Sequence, residues 1–150
     1  KLHILAIGSD RKISFVQNLL DLTSDSMMVS HMEYPCQIDM PCTEFQKICR
    51  DMREFGDDIQ VSVSPSSLVL TTMSGTEKIE IDYSSSKIIS VTSKASLELK
   101  FSIKYLVLFC KACPLSDCVS MSIGTDLPMQ LKFRINESDF IDFYLAPKVD

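Results

Sequence analysis

The feature that most constrains this chain is one amphipathic helix written between residues 43 and 55. Phe45, Ile48, Cys49, Met52 and Phe55 recur at i, i+3, i+4, i+7 and i+10, which makes a single stripe that has to be buried. Pro41 suits the entry to such a helix and Gly56 its end. A helix with one apolar stripe needs a broad surface to lie on, and the following residues supply it. Ile59, Val61 and Val63 alternate with Gln60, Ser62 and Ser64, the period of a half-buried strand, ahead of a turn at Pro65-Ser66-Ser67. Leu68, Leu70 and Thr72 keep the period of two, and after Ser74-Gly75 the residues Ile79, Ile81 and Tyr83 carry it into a third strand.

Further strands are expected at 34–40, 87–92, 95–100, 118–123, 128–135 and 140–145. A second helix is expected over 101–112, stopping before Cys113-Pro114 because a residue preceding proline disfavours helix. Each helix then follows a strand and precedes several. Phe45-x-x-Ile48 and Tyr105-x-x-Leu108 stand in corresponding places about 60 residues apart, a duplication of pattern more than of identity. The fold class expected is α+β, with two helices packed on one face of a curved antiparallel sheet. At the front, 1–8 and 12–16 each have strand character, and 21–31 reads as an exposed connector without a period.

Composition narrows the function classes. An apolar fraction of 45% and a charged fraction of 23% over 150 residues are those of a soluble globular domain. The longest apolar run, 105–110, is far short of the ~20 residues of a membrane span. No signal peptide is read at the front, and Lys1 leads to the expectation that the natural N-terminus lies upstream.

Six cysteines, at 36, 42, 49, 110, 113 and 118, are expected to be reduced thiols of a cytosolic or nuclear protein. Cys110-x-x-Cys113 with Cys118 offers three thiols to zinc, but the first lies in a helix and no fourth ligand has suitable spacing. Packing or surface thiols are the favoured reading. Catalysis is disfavoured too. The only histidines are His3 and His31, in the least regular segments, and four glycines make no phosphate loop. Asp57-Asp58 reads as a turn after Gly56 rather than a carboxylate pair. No catalytic residue, metal or cofactor is expected.

A net charge of -5 argues against gripping nucleic acid by bulk attraction, so the placement of the cations matters more than their number. Lys47 and Arg50 project opposite the apolar stripe of the first helix, Arg53 flanks them, and Asp51 and Glu54 share the arc. On the second helix Lys104 and Lys111 make one cationic line on an otherwise apolar cylinder, which is expected to be buried on most sides. Ordinary solvation of two surface helices explains these cations. So does loose contact with a phosphate backbone that reads no bases.

Longer motifs favour the second explanation. The run from Met40 to Met52, Met-Pro-Cys-Thr-Glu-Phe-Gln-Lys-Ile-Cys-Arg-Asp-Met, resembles the helix that opens the second domain of the eukaryotic DNA sliding clamps, the proliferating-cell-nuclear-antigen family. Lys104-Tyr105-Leu106 and Lys111-Ala112-Cys113-Pro114-Leu115-Ser116 resemble that domain's second helix and the turn after it. Tyr144-Leu145-Ala146-Pro147-Lys148 is similar to the family's C-terminal tail, and Leu20-Asp21-Leu22 with Glu33-Tyr34 to its interdomain connector. The likeness runs from about residue 13 to 150, in the family's order.

The resemblance implies a DNA-clamp fold in three parts: a remnant of the first clamp domain (1–18), an interdomain connector (19–33) and the C-terminal clamp domain (34–150). It implies a nuclear, non-enzymatic processivity factor, a homotrimer when a full first domain is present, without a membrane partner. Its partners would be duplex DNA, a DNA polymerase, a clamp loader and other proteins carrying a clamp-binding peptide. Lys47, Arg50, Arg53, Lys104 and Lys111 would face the DNA. Met27, Val29, Tyr34, Pro128, Tyr144, Leu145, Ala146 and Pro147 would form the client-peptide pocket. Lys78, Ile79, Glu80, Ile81 and Asp82 would be the edge strand of the subunit contact. The chain departs from the family in a first domain reduced to at most 1–16, and in Met28, Met32 and Ser30 within the connector. A half-clamp that binds client peptides without closing a ring is therefore a rival reading, as is a checkpoint-type clamp subunit, which the Ala146-Pro147-Lys148 tail disfavours.

Overall fold

The computed structural model describes residues 1–18 and 32–149, which fall into two units, Lys1–His31 and Met32–Asp150. In the first, β1 (Leu2–Ile7) pairs antiparallel with β2 (Lys12–Gln17), Leu2 opposite Gln17 and Ile7 opposite Lys12. The Gly8 N–H donates to the Arg11 carbonyl at 2.8 Å and closes the turn. Two strands have no interior, and every residue of the hairpin is exposed, Ile7 and Val16 included.

The second unit repeats one plan. A strand, β3 (Cys36–Pro41), leads into α1 (Cys42–Phe55) and three strands, β4 (Asp58–Ser64), β5 (Ser67–Ser74) and β6 (Glu77–Asp82). After β7 (Ser90–Ser93) the plan recurs: β8 (Leu97–Ser102), α2 (Ile103–Phe109) with a 3-10 turn (Cys110–Leu115), then β9 (Cys118–Ile123), β10 (Met129–Arg134) and β11 (Phe140–Leu145). The strands form two antiparallel sheets, a five-stranded one in the order β11-β10-β9-β3-β7 and a four-stranded one in the order β6-β5-β4-β8. The expected α+β class with antiparallel strands is what the chain adopts; the strands of the second unit divide into two hydrogen-bonded sheets.

Alternation along each strand buries one face. Cys36, Ile38 and Met40 of β3, Val119, Met121 and Ile123 of β9, and Met129, Leu131 and Phe133 of β10 are all buried. Ile59, Val61 and Val63 of β4 with Leu68 and Leu70 of β5 do the same in the other sheet. Against them α1 buries Cys42, Phe45, Ile48, Cys49 and Met52, whereas Phe55, expected on the same stripe, is 45% exposed at the helix end, beyond the reach of the sheets. Four phenylalanines link the layers: Phe45 of α1 meets Phe133 of β10 edge-on at 6.3 Å, Phe133 meets Phe143 of β11 at 5.8 Å, and Phe143 stacks on Phe109 of α2 at 4.5 Å. Gly56 is required by close approach. A Cβ there would collide with Thr72 Oγ1 and lie 2.7 Å from the Met73 carbonyl oxygen.

Three further expectations need correction. The second helix does not span 101–112: β8 runs through Phe101 and Ser102, and the α-helix proper ends at Phe109, after which a 3-10 turn carries the chain through Pro114. Phe101 is wholly buried as a strand residue, facing Ile59 across the ladder. Second, the repeat is offset by one residue. The counterparts of buried Cys42 and Phe45 are Ile103 and Leu106, which are buried, whereas Tyr105 and Leu108 are each 46% exposed. One residue is about 100° of helix, enough to turn a side chain from core to solvent. Third, α2 is not buried on most sides, because Tyr105, Val107 and Leu108 are all exposed.

Candidate functional site

The expected cations sit on α1, on α2 and on the 3-10 turn after it. Lys47, Arg50 and Arg53 of α1, Lys104 of α2 and Lys111 of the 3-10 turn are all exposed. Helix α1 is one-sided, so the arc opposite Phe45, Ile48 and Met52 faces outward, and Lys47 and Arg50 lie on it with Arg53 at its flank. Together with Gln46, Cys49, Glu54, Val107 and Cys110 these two arginines line a groove of about 310 Å³ between the helices. Gln46 Nε2 donates to the Cys110 carbonyl at 3.4 Å across that junction. The outer faces of α1 and α2 are therefore neighbours.

The cations differ in how they are held. Arg53 is ion-paired with Asp57 one turn on, and Lys104 lies 5.9 Å from the centre of the Tyr105 ring. Lys104 and Lys111 do not form one α-helical line, since the 3-10 turn intervenes. Glu54 lines the groove beside the arginines and Asp51 is exposed on the same helix, which keeps the positive field modest.

A second cluster lies at the end of β10 and β11. The Tyr34 hydroxyl donates to the Pro128 carbonyl at 2.8 Å across 94 residues of sequence. Burial, then the neighbouring Tyr144 and Asp142, push the Tyr34 phenol up to about 12. Tyr144 faces Gln130 across the β10–β11 ladder, and Gln130 Nε2 donates to Tyr144 Oη at 3.2 Å and to Asp142 Oδ2 at 2.9 Å. Of the tail residues, Leu145 is buried opposite Met129, Ala146 is exposed and Pro147 is half-buried. Lys148 then crosses to the other sheet, its N–H donating to the Lys100 carbonyl at 2.7 Å and its ammonium pairing with Asp58 at 2.5 Å. Tyr34, Pro128 and Tyr144 thus come together, whereas the Leu145 side chain belongs to the core. Met27 and Val29 lie outside the described residues.

Sequence reading missed Gln130, Lys132 and Asp142, which border Tyr144 on the outer face of the sheet. Asp142 Oδ1 is buried without a hydrogen-bond partner among the described residues. The signal was available in the alternation of β10, where Gln130 and Lys132 separate the buried Met129, Leu131 and Phe133.

The third group is the strand Lys78, Ile79, Glu80, Ile81 and Asp82. It lies in β6, an edge of the four-stranded sheet that, among the described residues, pairs only with β5. Ile79 and Ile81 are half-buried, Lys78 Nζ lies 2.6 Å from Glu80 Oε2, and the outer backbone edge is unpaired among the described residues. Asp57 and Asp58 each pair with a cation, Arg53 and Lys148. Among the described residues no group of three or more His, Cys, Asp or Glu could hold a metal ion, and no helix is long and apolar enough to cross a membrane.

One prediction arises from Tyr34. Its phenol has a raised folded-state pKa, so its contribution to stability is complete below the ordinary value of 10.0 and is lost as pH rises through about 12. Tyr34→Phe is expected to cost about 0.5–1.5 kcal/mol near neutral pH through the lost hydrogen bond to Pro128. It should also shrink the loss of stability between pH 10 and 12, read as urea midpoints across that range. An unchanged alkaline limb would place the titration elsewhere.

A family model described as proliferating cell nuclear antigen, C-terminal domain, matches residues 28–148. The chain is similar to the proliferating cell nuclear antigen of Caenorhabditis elegans, at 32% identity over 148 residues, covering 94% of this chain and 56% of that protein. It therefore spans about half the length of that relative.

Proposed function

Because the chain belongs to the proliferating cell nuclear antigen family, we propose that it works as part of a DNA sliding clamp, by binding and not by catalysis. The observation that carries this reading is the groove between α1 and α2, lined by Arg50 and Arg53, with Lys47, Lys104 and Lys111 exposed on the elements that form it or follow it. Exposed lysines and arginines on helix faces meet phosphates without reading base edges, and contacts that few and that loose suit movement along duplex DNA. The acidic chain as a whole repels DNA, so the attraction is confined to this face.

Two other surfaces complete the role. The unpaired edge of β6 accepts a strand from a neighbouring clamp domain, which is how a ring of three subunits would be joined. Tyr34, Pro128 and Tyr144, with the Ala146-Pro147 tail, form the surface for clients, including a polymerase and a clamp loader in the nucleus. Such clients present an extended peptide with a glutamine, an aliphatic residue and two aromatics.

The test pairs light scattering with peptide titration. A discrete closed oligomer over a wide concentration range, with saturable binding of a fluorescent peptide of that motif, is the expected result. Tyr144→Ala should then weaken the peptide at least about tenfold, the scale of an aromatic anchor at an interface centre. A stable monomer that still binds the peptide would leave only the half-clamp reading. A failure to bind any such peptide would sink the client pocket.

A further inference from the structure

Five of the six cysteines gather where α1, the end of α2 and the 3-10 turn meet, and all are unbridged. Cys49 interacts with Cys110, Cys110 with Cys113, Cys113 with Cys42, and Cys42 with Cys118. Two of them stand apart from the rest. With Cys42 matched to Ile103 and Phe45 to Leu106, Cys49 and Cys110 occupy corresponding positions in the two halves of the repeat, and both line the groove between the helices.

Their surroundings differ in a way that matters chemically. Cys49 is 2% exposed, on the buried stripe of α1, whereas Cys110 is partly open to solvent at the first position of the 3-10 turn. Gln46 on α1 holds the Cys110 carbonyl at 3.4 Å, which keeps the second helix end against the first. The hydrogen bond from Cys49 lowers the Cys110 thiol, and that bond together with burial raises Cys49. Arg50 and Arg53 line the same groove together with Glu54. A reachable sulfur beside a second, enclosed sulfur in one groove is the arrangement of a peroxide-reactive thiol and its resolving partner.

We propose that Cys110 and Cys49 are an oxidant-responsive pair that closes to an intramolecular disulfide between the two helices when the chain meets a peroxide. The Cys110 thiolate attacks one peroxide oxygen and breaks the O–O bond. The departing hydroxide takes up the proton that Cys110 released and leaves as water, and Cys110 holds a sulfenic acid. The Cys49 sulfur then attacks the Cys110 sulfur. Its own proton joins the expelled hydroxide as a second water, and the S–S bond forms. Two thiols are oxidised and the two peroxide oxygens are reduced. This device needs neither DNA nor a ring, so it stands or falls independently of the clamp reading.

The experiment treats the full chain with a small excess of hydrogen peroxide under native conditions, alkylates the remaining thiols, and maps peptides by mass spectrometry. The expected product has lost two hydrogens, joins the Cys49 and Cys110 peptides, reverts with dithiothreitol and shows a higher urea midpoint than the reduced chain. Cys110→Ser should abolish the bridge, and Cys118→Ser, an exposed change, should retain it. Because Cys49→Ser alters a core position, Cys110→Ser and the peptide map carry the test. A bridge from Cys110 to Cys113, or Cys110 oxidised to sulfinic acid with Cys49 still free, would overturn the proposal.

Discussion

Truncating Phe133 to alanine is expected to remove about 3–5 kcal/mol of folding stability, the range for deleting a buried aromatic ring. Phe133 is wholly buried, and its ring is the link between Phe45 on α1 and Phe143 on β11, which in turn stacks on Phe109 of α2. Removing it opens a void at the junction of the helix layer and the five-stranded sheet. Set against the ~5–15 kcal/mol of a typical domain, that loss is enough to leave the variant partly unfolded near body temperature. Phe140→Ala is the control. That ring is 55% exposed with the Lys132 ammonium 4.4 Å from its centre, so about 0.5–1 kcal/mol is at stake. Urea midpoints of the three proteins decide the matter. A Phe133→Ala loss below about 1 kcal/mol would show that the four rings are not the central contact that their distances suggest.

Replacing Arg50 and Lys111 together with glutamine is expected to abolish measurable duplex binding at physiological salt while leaving the fold intact. Both side chains are exposed, so their removal should shift stability by no more than about 0.5 kcal/mol. Each phosphate contact contributes close to one unit to the slope of log K against log salt, so the double variant should flatten that slope by about 2. Arg53→Gln should do less, since its guanidinium is already paired with Asp57. The measurement is fluorescence anisotropy of a labelled duplex across a salt series. An unchanged slope in the double variant would return these cations to ordinary solvation and remove the main support for a DNA-facing helix surface.

How much of this was legible beforehand differs between elements for physical reasons. Helix α1 was readable almost to the residue because its burial is one-sided and repeats for about three turns, although Phe55 leaves the stripe, and the bounds of β9 and β11 were readable from alternation. The start of α2 was not. Its residues are apolar on nearly every side, so periodicity carries no phase, and Phe101 could serve strand or helix equally. Only pairing with Ile59 across the β4–β8 ladder settles it as strand. The same ambiguity produced the one-residue slip between Tyr105 and Leu106.

The site shows the same division. Lys47, Arg50 and Arg53 follow from the phase of α1, since residues opposite a buried stripe must face outward. The pairing of Arg53 with Asp57, the tail crossing from Leu145 to Lys100, and the buried Asp142 oxygen could not be read, because each depends on where two distant segments come to rest.

Sequence alone determined what short-range order can encode here: which residues alternate, which stripe is buried, where proline and glycine interrupt, and which family's long motifs the chain carries. Burial free energy repeats with the period of the element, so those signals accumulate over a few residues. The tertiary structure alone decided the division into two sheets, the exposure of Tyr105 and Leu108, the contact of Tyr34 with Pro128 and the meeting of Cys49 with Cys110. Those outcomes depend on ladder registers and helix packing between residues far apart in the chain, where nothing in the local pattern names the partner.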